Sequence, residues 1–186
     1  MRVTGGRLRG RRLRAPGGGV RPTQDRVREA LFALLGARIA GRRFLDLFAG
    51  SGAVGIEAWS RGASFVCLVE SSRRVLPVLR ENVRLVEGGA AEVRGADAFR
   101  FLRGGGGAAR FDVIFADPPY AAVRGSAGRA FTARLLAGIA GGGGLAPDGL
   151  VVLEGAAGAE VPAEPGWRRT DERRYGSVGV TFLVRA

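Results

Sequence analysis

The chain has 186 residues, 46% hydrophobic and 25% charged, the balance of a soluble protein with one substantial core. It holds no histidine and a single cysteine, Cys67, which excludes an internal disulfide and a histidine base and argues against a metal site. No apolar run approaches a membrane span and the arginine-rich start carries no signal-peptide core, so a cytoplasmic protein without a membrane partner is expected. The net charge of +12 is unevenly placed. Residues 1–43 hold twelve arginines against Asp25 and Glu29, whereas in the remainder seventeen arginines face fifteen acids. Such a gradient points to a polyanionic partner.

Residues 2–16 alternate loosely around Val3, Leu8 and Leu13, with Gly5-Gly6 and Gly10 as turn points. This predicts a short arginine-studded hairpin ending at Pro16. Residues 1–20 are accordingly expected as a basic arm and 21–186 as the main domain. Arg21-Pro22-Thr23-Gln24-Asp25 opens a helix, with Thr23 as N-cap and Asp25 in the first turn. Val27, Ala30, Leu31, Leu34 and Leu35 recur at helical spacing until Gly36, which leaves Arg26 and Arg28 on or near the polar side.

From Arg43 strands and helices alternate. Strands are expected at Phe44–Phe48, Phe65–Glu70, Ala91–Arg94, Phe111–Ala116 and Leu150–Glu154. Helices are expected at Gly52–Arg61, from about Ser72 to Val86 with a kink at Pro77, at Ala98–Leu102 and at Arg129–Ile139. Buried strands separated by helices mean an α/β fold with a parallel sheet covered on both faces. The tail differs: Trp167–Tyr175 and Ser177–Val184, joined at Gly176, read as an antiparallel finish. The glycine runs 104–107 and 141–144 read as surface loops, and Cys67 as core.

Two motifs carry chemistry. Gly50-Ser51-Gly52-Ala53-Val54-Gly55 has the G-x-G-x-x-G spacing between a strand and a helix, a pattern shared with nicotinamide-dinucleotide sites. Its surroundings favour S-adenosyl-L-methionine. Asp46, four residues before the first glycine, can attract a cationic amino group. Glu70 ends the second strand and can accept from ribose hydroxyls. Asp97 follows the third and can accept from the adenine amine. Phe48, Gly50, Ser51 and Gly52 complete this candidate set. The second motif is Asp117-Pro118-Pro119-Tyr120, where two prolines stop a buried strand. It leaves a carboxylate, a rigid carbonyl and an aromatic ring, three groups suited to a planar heterocycle bearing an exocyclic amine.

The chain resembles the bacterial 16S ribosomal RNA guanine-N2 methyltransferases. The resemblance runs from Gly5-Gly6 and Arg9-Gly10-Arg11 through Arg21-Pro22-Thr23-Gln24-Asp25-Arg26-Val27-Arg28-Glu29-Ala30-Leu31-Phe32. It continues through Leu45–Gly52 and Asp117–Tyr120 to Tyr175-Gly176. It implies a seven-stranded Rossmann-like class I methyltransferase sheet with antiparallel C-terminal strands. It also implies an enzyme that moves a methyl group from S-adenosyl-L-methionine to a guanine N2 amine in 16S rRNA, naked or in the assembled small ribosomal subunit. Asp117, Pro118, Pro119 and Tyr120 would then act on the base. Arg7, Arg9, Arg11, Arg12, Arg21, Arg26 and Arg28 would face the RNA. No metal is expected, and the chain is expected to be a monomer. The Asp-Pro-Pro-Tyr element also occurs in adenine-N6 DNA methyltransferases, but the 43-residue arm is small for reading DNA sequence. A non-catalytic RNA-binding protein is disfavoured by acids kept at four strand ends, and a nicotinamide oxidoreductase ranks third.

Overall fold

Runs of buried apolar residues become strands wherever a helix can return the chain in parallel. The computed structural model describes residues 1–17, 25–104, 110–119, 125–142, 144–159 and 161–186. Thr23, Arg21 and Tyr120 lie outside them. The chain divides into two compact units, Met1–Asp97 and Ala98–Ala186.

In the first unit an N-terminal segment precedes helix α1 (Asp25–Leu35), then β1 (Arg43–Asp46), α2 (Ala53–Ser60), β2 (Phe65–Glu70), α3 (Leu76–Val83) and β3 (Ala91–Gly95). β1 pairs in parallel with β2, Leu45 opposite Cys67, and β2 with β3, Leu68 opposite Val93. The second unit holds α4 (Ala98–Arg103), β4 (Phe111–Ala116), α5 (Gly125–Gly141), β5 (Leu145–Ala156), β6 (Trp167–Tyr175) and β7 (Val178–Arg185). There β4 and β5 are parallel, while β7 runs antiparallel to both β5 and β6. All seven strands belong to one mixed sheet, the α/β architecture expected.

Several boundaries moved for identifiable reasons. Pro77 does not kink a helix but stands in the first turn of α3. Proline is tolerated there because a first-turn amide has no intrahelical partner to lose. β5 starts at Leu145, five residues early, because Leu145 pairs with Phe111 before the register shifts and Leu150 meets Val113. Pro147 sits in that excursion, where no ladder hydrogen is required. α5 reaches Gly125 through glycine and alanine positions that carry no hydrophobic period. Cys67 is buried in β2, as expected, and burial pushes its thiol up to about 12.

The N-terminal segment is the short hairpin expected, with Val3 N–H donating to the Arg11 carbonyl and Gly10 N–H to the Val3 carbonyl, each at 2.9 Å. A lone antiparallel bridge, Arg2 to Arg12, closes it around one 3-10 turn, Gly6–Leu8. Val3 and Leu13 pack on Ala53 and Ile56 of α2, so residues 1–17 are part of the first unit. A Cβ at Gly6 would stand 1.9 Å from the Ser60 carbonyl oxygen, and its φ of 74° independently favours glycine. Ser60 fixes the same contact: its hydroxyl donates to the Gly5 carbonyl at 2.6 Å and accepts from the Leu8 amide at 2.9 Å.

Beneath this segment lies Glu57, fully buried in α2. Its carboxylate accepts from the Thr4 amide and hydroxyl, each at 2.7 Å, from Arg61 Nε at 2.8 Å and from Arg28 Nε at 3.3 Å. Arg28 also binds Asp25 at 2.9 Å and the Arg2 carbonyl. Arg28 is thus a correction to the expected RNA-facing set. It is 0% exposed, because α1 turns it inward to neutralise Glu57. Removing one partner of a buried pair leaves a stranded charge, so Glu57→Ala is expected to destabilise the fold by about 3–5 kcal/mol. Urea unfolding measures this, and a loss below about 1 kcal/mol would assign the network no more weight than a surface pair.

Candidate active site

Beyond the carboxyl end of β1 the chain turns on two glycines. Gly50 and Gly52 take φ values of 53° and 82°, left-handed backbone that other residues adopt at a cost. Gly55, one turn into α2, is needed for packing, since a Cβ there would stand 2.8 Å from the Leu68 side chain. This is how the third glycine of such a loop allows helix and strand to approach.

The loop is held from several directions. Glu70, at the end of β2, accepts from the Gly50 amide at 2.9 Å and from the Ser72 amide at 2.7 Å. Gly52 N–H donates to the Ala49 carbonyl at 2.7 Å. Asn82, buried in α3, donates through Nδ2 to the Ser51 carbonyl at 2.8 Å and to the Arg14 carbonyl at 2.9 Å. Its Oδ1 accepts from the Arg14 amide at 2.9 Å. The Ser51 hydroxyl reaches Met1 Sδ at 3.5 Å. Asn82 and Glu57 escaped sequence reasoning, because a polar residue in a helix gives no sign of whether it is buried.

Asp46 is tied to the start of α2 at the carboxyl end of β1. It is 1% exposed and its Oδ2 accepts from the Gly55 amide at 3.2 Å, an N-terminal helix donor that the helix itself leaves unmatched. It therefore steadies the start of α2. Phe48 is half-buried, Ser51 and Gly52 are buried, and Asp97 is exposed just beyond β3. β3, β2 and β1 are adjacent and parallel, so Asp97, Glu70 and Asp46 follow one another along one carboxyl edge. That edge is where ligands of open α/β sheets bind. The residues fit an adenosyl cofactor. A Cβ at Gly50 would meet nothing within 4 Å, so the loop leaves room on that side. Glu70 is partly exposed, and each of its oxygens retains a lone pair beyond its backbone bond.

In the second unit Asp117 follows β4 directly, half-buried, with Pro118 buried and Pro119 exposed. Burial lifts the Asp117 carboxyl from 3.8 to about 6. Among the arginines expected to face RNA, Arg9, Arg11, Arg12 and Arg26 are exposed. Arg7 is exposed too, with its guanidinium 4.3 Å from the Trp59 ring centroid. Among the described residues no helix is long and apolar enough to cross a membrane.

A family model described as Conserved hypothetical protein 95 matches residues 1–184. The chain is 43% identical over 121 residues to "Ribosomal RNA small subunit methyltransferase D" of Escherichia coli strain K12, a match covering 64% of this chain and 60% of that protein. Among solved structures it is similar to the Escherichia coli protein yhhF, at 33% identity and a TM-score of 0.83, covering 100% of this chain and 97% of that one. It is also similar to a hypothetical protein from Thermus thermophilus, at 37% identity and a TM-score of 0.81, covering 100% and 99%.

The raised Asp117 value has a consequence for stability. A carboxyl that holds its proton more tightly when folded favours the native state below about pH 4, and that contribution is lost as pH rises from about 4 to about 6. Asp117→Asn is therefore expected to match the parent near pH 4 and exceed it in melting temperature above about pH 7. An equal difference at both pH values would show that the carboxyl is not desolvated.

Proposed function

We propose, for a chain that belongs to the family described as Conserved hypothetical protein 95, that it transfers a methyl group from S-adenosyl-L-methionine to the N2 amine of a guanine in small-subunit ribosomal RNA. The observation that carries this reading is Asp117 at the end of β4, partly desolvated and followed by two prolines. The glycine loop and the name of the Escherichia coli relative support it.

Glu70 and Asp97 would hold the ribose and adenine ends of the cofactor, and the amides of the Gly50–Gly52 loop would approach it closely. When bound, the cofactor supplies an electrophilic methyl group. The guanine N2 lone pair is delocalised into the ring and is a poor nucleophile. Asp117 and the Pro118 carbonyl would accept its two hydrogens, direct the lone pair and stabilise positive charge as it develops on nitrogen. The burial that raises Asp117 to about 6 also makes its carboxylate a stronger acceptor than one in water. Below about pH 6 the neutral carboxyl accepts poorly, so transfer should rise with pH through that value. Tyr120, named on sequence, would stack on the exposed base. Arg9, Arg11, Arg12 and Arg26 offer exposed cations to phosphates.

Transfer of labelled methyl to 16S rRNA or to small subunits, followed by mapping of the modified base, tests the reading. Asp117→Ala is expected to lower that rate roughly 100- to 1,000-fold while leaving S-adenosyl-L-methionine affinity unchanged. Near-normal turnover would remove Asp117 from the chemistry.

Joint replacement of Arg9, Arg11 and Arg12 by alanine should flatten the salt dependence of RNA binding by about 2 in logarithmic slope, since each lost phosphate contact removes about 0.7. All three are exposed, so folding should be unaffected. An unchanged slope would place the phosphate contacts elsewhere.

A further inference from the structure

Within the second unit a groove of about 370 Å³ opens beside Pro118. One wall is the α5 flank carrying Arg129 and Thr132, and the other is the face of β5, β7 and β6. Its floor is open at Gly155 of β5, which lies opposite Gly179 of β7 in the ladder, while the Ala156 carbonyl oxygen stands 3.1 Å from where a Gly179 Cβ would be. A Cβ at Gly155 would meet nothing within 4 Å, and the residue does not have positive φ, so the space above it is kept open without being required by the backbone. Two residues along the same face, Leu153 pairs with Thr181, and Thr181 with Glu172. Thr181 is 6% exposed and lines the groove, a buried hydroxyl set into its wall.

The volume lies within the range of small-ligand sites. The groove is open over Gly155, between an apolar Leu153 and two threonine hydroxyls, with the Arg129 cation on the rim and the Glu172 carboxylate opposite. Glu172 is also bound by Arg169 at 2.7 Å, which holds it in place. A planar heterocycle that both donates and accepts hydrogen bonds and trails a phosphate meets each of these features. Asp117 does not line the groove, whereas Pro118 does. On the reading above, the reacting amine would sit at the mouth and the groove would take what is covalently next to it.

We propose that this groove is a subsite for the nucleotide flanking the target guanine on the same RNA strand, with its base over Gly155 and its phosphate toward Arg129. This rests on the reading of the chain as an RNA methyltransferase. A subsite of this kind ties the strand down on one side of the reacting base. It also lets the neighbouring nucleotide contribute to selecting the target, because its hydrogen-bonding edge faces Thr132 and Thr181.

Gly155→Phe fills the groove from a strand position that tolerates aromatics. With 16S rRNA as substrate and the full chain, it is expected to raise the KM for RNA roughly tenfold or more, because the added ring occupies the space the flanking base would take. S-adenosyl-L-methionine affinity and melting temperature should match the parent. Thr132→Val, which keeps volume, should raise the same KM about threefold or more by removing one hydrogen bond. In parallel, adenosine and guanosine 5′-monophosphates added to the parent protein should shift the amide resonances of Gly155 and Thr181, and Gly155→Phe should abolish those shifts. A parent that methylates rRNA beside two variants of unaltered KM overturns the subsite while leaving the enzyme reading intact. A parent that methylates no rRNA overturns the enzyme reading instead. Should Gly155→Phe fail to fold, Thr132→Val and the nucleotide titration still decide the matter.

Discussion

A carboxylate placed in an apolar helix must be answered by positive charge or by hydrogen bonds, and much of the first unit is arranged to answer Glu57. Every residue of α2 is buried, so the helix has no wet face to which the charge could turn. Arg28 reaches it from α1, Arg61 from the next turn of its own helix, and Thr4 from the N-terminal segment. These three contacts come from parts of the sequence that share no local structure, and the carboxylate joins them. Arg61 also lies over the Phe32 ring at 5.3 Å, and Phe32 meets Phe44 of β1 at 6.2 Å, so the polar cluster continues into the aromatic core without a gap. Replacing such a cluster wholesale by apolar residues often costs little, whereas deleting one member is expensive. Its physical effect is therefore specificity: it allows one seating of α1 and of residues 1–17 and penalises the others.

Where a side chain's surroundings follow from its neighbours in sequence, they were legible. β2 and β4 formed over the residues expected, because each is a continuous apolar run bounded by turn residues. The Gly50–Gly55 loop was legible because its spacing encodes backbone geometry. Asp117 was legible because two prolines must end a strand. The antiparallel finish could be read from the tight joint at Gly176, whose φ is 61°. What stayed hidden depends on distant partners. Arg28 read as a solvent-facing arginine because nothing within one helical turn reveals Glu57, 29 residues away. The bond from Gly55 N–H to Asp46 was hidden because the pattern cannot show a helix amide reaching back to the strand end. The expected strand stops short of Leu145 because the pairing of Leu145 with Phe111 lies across a bulge.

The two candidate motifs differ in how they are prepared. The glycine loop is braced by Glu70, Asn82 and its own Ala49–Gly52 turn, so a ligand would meet backbone already in place and spend little on ordering it. Asp117 is prepared through its solvent. Partial burial makes the carboxylate reluctant to ionise, and a reluctant carboxylate is the better acceptor once charged. One site invests in geometry and the other in dielectric, and the fold provides both at strand ends.

Asn82 has a different reach. One nitrogen of its amide is shared between the Arg14 carbonyl and the Ser51 carbonyl, while its oxygen takes the Arg14 amide. Arg14 belongs to the segment densest in positive charge, and Ser51 lies at the tip of the glycine loop. Their conformational free energies are therefore not independent. Anything that restrains the charged segment restrains the loop through a single planar group, and reciprocity requires the loop to return the same influence. No hinge, lid or rotation is needed for that exchange; an amide locked at both ends is enough.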